Sequence, residues 1–172
     1  MPRFDRPTDD EYAPYYARYL AAVPAGDLLA LLERQGAEAA AFLRGLEPAR
    51  WTYRYAPGKW SIAEVIGHVC DTERIFTYRA LRFARADATP LPGFEQDDYV
   101  PVGRFDARAD ASLVAELEAV RQASLTLFRG LPDDAPLRRG VANGVEFSVR
   151  ALAYVIAGHE RHHLGVLRER YL

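Results

Sequence analysis

Cysteine is almost absent: Cys70 is the only one in 172 residues. No internal disulfide can form, so the fold must rest on a buried core. Neither sign of charge dominates, with 22 Lys and Arg against 24 Asp and Glu and a formal net charge of −2. That balance speaks against a nucleic-acid binder, which neutralises phosphates with a basic excess. No apolar run reaches the roughly 18 residues that a bilayer span requires. Residues 1–6 (MPRFDR) lack the apolar h-region of a secretory signal. The expectation is one soluble, cytoplasmic domain over residues 1–172, with no nucleic-acid and no membrane partner. At 49% hydrophobic and 27% charged, the chain has the composition of an ordinary globular protein.

Apolar spacing of three and four residues predicts four long helices, over 27–46, 61–86, 110–131 and 148–170. Asp27 is placed to cap the first, and Ser61 with Glu64 forms a capping box at the start of the second. Pro132 stops the third. A tyrosine-rich segment over 14–23 predicts an additional helix packed across the others. The fold class is therefore all-α, a four-helix bundle with an N-terminal helix. Two connections are long. Residues 47–60 form an aromatic loop around Trp51, Tyr53, Tyr55 and Trp60, and residues 87–109 form an acidic, proline-bearing link without a clear period. Asn143 and Gly144 signal a two-residue hairpin before the last helix.

Histidine is scarce, and its placement is informative. Of the four, His159, His162 and His163 fall within five residues, and His68 is the other. At about 100° per residue, His159 and His163 lie in the middle of the apolar stripe of the last helix, one turn apart. His162 falls near the edge of that stripe. His68 lies on the flank of the second helix, where it would face a neighbouring helix. A core-facing histidine is commonly a hydrogen-bonded structural residue. Two on one buried face, with a third on an adjoining helix, can instead converge on one ion and leave positions open for water or substrate. Glu73 also lies within an apolar stripe. Its five-residue offset from His68 argues against a shared ion and for burial against an arginine or a tyrosine. Glu64 is explained by the capping box, and Cys70 reads as a small apolar filler. The tyrosines can line a cavity or close over the core as a lid.

Three segments, YAPGKWS at 55–61, GHVCDTER at 67–74 and GHERHHLG at 158–165, resemble the DinB-like superfamily. The resemblance covers the chain from the first long helix to the end. It implies a four-helix bundle of unusual crossover topology, often dimeric, which suits the long links at 47–60 and 87–109. It also implies one divalent metal ion bound by His68, His159 and His163; three neutral imidazoles suit zinc or nickel, with iron as a third choice, and the direction of His162 toward the edge of the stripe leaves it out. Members of the family include thiol S-transferases that use bacillithiol or mycothiol, a thiol-dependent isomerase, and proteins called metal-dependent hydrolases. A related iron-binding domain carries His-x3-His-x-Glu, a pattern that Gly165 breaks here. The resemblance thus implies a small-molecule enzyme with a low-molecular-weight thiol as cosubstrate. The alternatives are a hydrolase using metal-activated water and a non-catalytic, stress-associated binding protein.

Overall fold

The structure, a computed structural model, describes residues 4–172. Residues 1–3, part of the opening read above for an h-region, lie outside the described residues. Six helices and one hairpin follow in order: α1 (Ala17–Ala21), α2 (Leu28–Arg44), α3 (Ile62–Ala84), α4 (Gln96–Gly103), α5 (Asp110–Arg129), β1 (Arg139–Ala142), β2 (Val145–Ser148) and α6 (Val149–Arg170). The four predicted long helices are present within a few residues of their expected ends. Their starts are fixed by side chains. Asp27 accepts from the Leu29 and Ala30 amides, Ser148 accepts from the Ala151 amide, and Ser61 and Glu64 exchange both bonds of the capping box. The predicted N-terminal helix is a 3-10 turn (Pro14–Tyr16) that runs into α1. The hairpin turns at Asn143 (φ 54°) and Gly144 (φ 71°), the left-handed pair that a type I′ turn requires.

α3 packs on α5 and α6, and α2 packs on the same two helices. Two pairs of helices therefore sit across the diagonal: α2 from α3, and α5 from α6. The aromatic loop makes the first crossing, as expected. The second is made by the hairpin segment between α5 and α6, not by 87–109, because α3 and α5 are neighbours. The 87–109 link instead folds into α4, which packs on α3. No periodicity announced α4, since it is eight residues long, contains Pro101 and buries only Val100.

Two apolar clusters fill the bundle. One gathers Leu28, Leu32, Phe76, Phe83, Phe128 and Leu152; the other gathers Leu43, Ile62, Val69, Leu113, Leu117 and Leu167. Every long helix passes from one cluster to the other, and each places buried polar groups at the crossing: Gln35 on α2, His68, Thr72 and Glu73 on α3, Arg121 and Ser124 on α5, His159 and Glu160 on α6. The candidate site lies in this polar layer.

Candidate metal centre

His68 and His159 are buried and His163 is half-buried, on facing stretches of α3 and α6. Their Nε2 atoms converge. His159 Nε2 is 3.0 Å from His68 Nε2 and 3.1 Å from His163 Nε2. A single ring nitrogen either donates or accepts, so His159 Nε2 cannot donate to one neighbour while accepting from the other. Three lone pairs aimed at one cation satisfy every ring. Edges of 3.0 and 3.1 Å match nitrogens held about 2.0–2.1 Å from a common ion. The donor set therefore fits a divalent metal. His162 lies outside the cluster, exposed, with its ring 5.6 Å from that of Tyr19.

Burial sets the protonation state. It pushes the His68 imidazole from an ordinary 6.5 down to about 4 and that of His163 down to about 3, and it carries His159 well below its usual value. All three rings are neutral at pH 7, the state in which a lone pair is available. His68, His162 and Arg18 push the pKa of His163 further in the same direction. Aromatic rings wall the cluster. Trp60, from the aromatic loop, lies 4.9 Å from the His68 ring, and Tyr19, from α1, lies 5.4 Å from that of His159. Thr72 Oγ1 sits 3.4 Å from His68 Nδ1, one turn along α3, where a partner on the outer nitrogen orients the ring.

Two cavities reach the cluster. One, of about 280 Å³, is bounded by Tyr16, Tyr19, Thr72, Arg79, Phe94 and His159. The other, of about 440 Å³, is bounded by Tyr55, Trp60, Asp97, His162, His163 and Tyr171. The tyrosines thus serve both roles open to them, and Tyr55 and Tyr171 line the second cavity. Those of the N-terminal segment line the first, and Tyr171 also donates to the Trp60 carbonyl at 2.7 Å and ties the loop to the end of α6.

Glu73 is buried and held away from the cluster, as its offset implied. It takes a two-pronged bond from Arg121, Nε to Oε1 at 3.0 Å and Nη2 to Oε2 at 2.9 Å. Arg121 also bonds Glu160 and donates to the Leu32 carbonyl at 2.8 Å. Burial pushes the Glu160 carboxyl up. Arg121 and Glu160 escaped the sequence reading, although both carry the signal that exposed Glu73. Arg121 sits four residues from Leu117 and Leu125, and Glu160 four from Ile156 and Leu164, so each interrupts an apolar stripe.

The chain matches the DinB superfamily over residues 5–167 and belongs to that family. It is 26% identical over 117 residues to a protein of Oceanobacillus iheyensis named as a candidate metal-dependent hydrolase. That match covers 66% of this chain and 66% of the relative. In structure it is similar to YfiT of Bacillus subtilis, described as a candidate metal-dependent hydrolase of unusual four-helix bundle topology. The TM-score is 0.74 at 16% identity, over 83% of this chain and 82% of the other.

Proposed function

We propose that the protein is a metal-dependent enzyme in which His68, His159 and His163 hold one divalent ion, zinc or nickel, and a low-molecular-weight thiol is transferred to a small electrophile. The observation that carries this reading is the pair of cavities that reach one histidine cluster, one bordered by His159 and the other by His163. A reaction of two organic substrates needs two approaches to one centre. A divalent ion held there by three neutral donors would supply the Lewis acidity that lowers the pKa of a thiol or a water. The chain itself keeps the imidazoles neutral by burial, and shields them from bulk solvent with Trp60 and Tyr19. Glu95 and Asp97 border the two cavities, but among the described residues no carboxylate is hydrogen-bonded to any of the three rings. A thiol tolerates that lack better than water does, because a lowered pKa alone makes the nucleophile.

Hydrolysis is the second reading, favoured by the names of the Oceanobacillus and Bacillus relatives. One experiment separates the two. Protein stripped of metal and reloaded with zinc or nickel is given a bacillithiol- or mycothiol-type thiol with a bimane electrophile, and separately a p-nitrophenyl ester. Metal-dependent, thiol-dependent bimane labelling is expected. Ester cleavage without thiol would put the hydrolase in its place. Bound metal with neither activity would leave a binding protein, and failure to bind metal would remove the centre.

A further inference from the structure

We propose that the cavity beside His159 is a carboxylate-binding subsite in which Arg79 reads the anionic end of the substrate. The inference rests on the reading of the histidine cluster as a reaction centre and adds a substrate class to it. Arg79 is a buried cation, 3% exposed, on the cavity wall. Its guanidinium has five N–H donors, and one hydrogen bond accounts for it among the described residues, from Nη2 to the Pro92 carbonyl at 3.0 Å. No described carboxylate pairs with it, which sets it apart from the buried Arg121 and from Arg150, which holds Glu11. Glu95, also on the cavity wall, accepts instead from the Asp97 amide at 3.3 Å. A buried guanidinium without a counter-ion is costly unless something supplies the negative charge.

The surroundings suit a small carboxylate. The Arg79 guanidinium carbon lies 5.5 Å from the Phe76 ring centre and 5.8 Å from that of Phe94, so aromatic faces flank the cation. Burial pushes the pKa of Arg79 down, and Tyr16 is the group that acts against this. Tyr16 borders the same cavity, and its hydroxyl, hydrogen-bonded to no described residue, is available as a second donor. One guanidinium neutralises one negative charge, which matches a carboxylate and leaves a phosphate dianion half paired. At about 280 Å³ the cavity falls at the small end of the usual range of about 300–1,000 Å³.

The subsite is continuous with the metal centre. His68, Thr72, Phe76 and Arg79 follow one face of α3, and His159 borders the same cavity. Eleven residues separate His68 from Arg79, about 16 Å along the helix axis. Helical side chains tilt toward the N-terminus, which returns the guanidinium toward the histidines. Arg79 therefore fixes an anion remote from the reacting atoms, the task of a positioning residue.

The probe is benzoate against its neutral analogue benzamide, titrated into metal-free and zinc-loaded protein and followed by amide NMR shifts. Wild type is expected to bind benzoate about tenfold or more tightly than benzamide, the worth of a charge-assisted bond. The preference should appear with and without zinc, with shifts centred on Tyr16, Thr72, Phe76 and Phe94. Arg79→Gln should abolish it while keeping zinc content, and Arg79→Lys should restore part of it. His163→Ala should lose zinc and keep benzoate. Equal binding of the two probes by wild type overturns the proposal without any variant. So do unchanged benzoate affinity in Arg79→Gln, benzoate binding that needs zinc, shifts centred elsewhere, or inorganic phosphate binding more tightly than benzoate. Loss of zinc binding in wild type with the benzoate preference intact would refute the metal centre and leave the subsite standing.

Discussion

Replacing Arg121 with Met keeps most of the side chain's length and removes its charge from a site with no solvent to take its place. The guanidinium bonds both oxygens of Glu73, one oxygen of Glu160 and the Leu32 carbonyl. Its stem lies against α2 at Gly36, where a Cβ would stand 2.9 Å from Arg121 Cγ. After the substitution two buried carboxyls lose the guanidinium they share and are left unpaired. Breaking a buried ion pair from one side costs about 3–5 kcal/mol. In a chain of this length 1 kcal/mol moves the melting temperature by about 2–4 °C. Arg121→Met should therefore melt roughly 6–20 °C below wild type, measured at pH 7 on metal-free protein so that ligand binding adds nothing. Arg44→Met is the control. Arg44 pairs with Glu118 at 2.6 Å, but both side chains are largely exposed, so its loss should cost less than about 1 kcal/mol. An Arg121→Met protein as stable as the Arg44→Met control would refute the account of the polar layer.

Alanine at His68, His159 or His163 should abolish stoichiometric zinc binding, and His162→Ala should leave it intact, read by metal analysis after dialysis; loss in His162→Ala alone would place the ligands wrongly. Burial works against the Glu11 carboxylate, but Arg150, Ser148 and Thr8 outweigh it and hold its pKa at about 2, below an ordinary 4.5. A depressed pKa stabilises the fold fully above about pH 4.5 and is lost as pH falls toward 2. The gap in urea midpoint between wild type and Glu11→Gln should therefore narrow across that window, and a gap independent of pH would contradict the assignment. Gly158 lets α1 touch α6, since a Cβ there would meet the Tyr19 carbonyl oxygen at 2.0 Å, whereas Gly165 has nothing within 4 Å. Gly158→Ala should cost about 1–3 kcal/mol or more, and Gly165→Ala should gain up to about 1 kcal/mol; thermal melts that ranked them the other way would refute the contact.

Periodicity and caps made the long helices legible because both are local. A run such as Ile62, Val65, Ile66 and Val69 reports its own buried face, and Ser61 with Glu64 reports where it starts. The same wheel placed His159 and His163 together and His162 apart, because residues on one helix keep fixed directions. Neighbours are not local. Nothing in an apolar stripe says which helix it will meet, so the diagonal placement of α2 and α3 and the partner of Glu73 emerged only in three dimensions. α4 was hidden because Asp97, Asp98 and Pro101 erase its period and one buried residue suffices to dock it. Arg79 was hidden because arginine is ordinarily a surface residue, and its burial depends on Pro92 and Phe94 arriving from the 87–109 link.

The polar layer clamps α3 to α6 twice, and the two clamps face different ways. On α3 His68 and Glu73 are five residues apart, and on α6 His159 and Glu160 are adjacent, so on each helix the pair is separated by roughly 100–140° of arc. Turning α6 to open the crowded imidazoles would draw Glu160 out of Arg121's reach, and turning α3 would do the same to Glu73. The carboxylates thus oppose the rotation that three converging histidines would otherwise take. A buried ion triad contributes little net stability against a well-packed apolar substitute, so its consequence should show in the geometry of the site. The combined variant Glu73→Met, Arg121→Met and Glu160→Met is expected to melt near or above wild type. It should nevertheless bind zinc about tenfold more weakly, the low end of what lost orienting contacts cost a metal site. Competition with a chromogenic chelator measures the affinity, and the Arg44→Met control should match wild type. If the triple variant melts as expected and binds zinc as tightly as wild type, the triad does not orient the histidines. If it melts far lower, the charges hold the fold itself and the separation of roles is wrong.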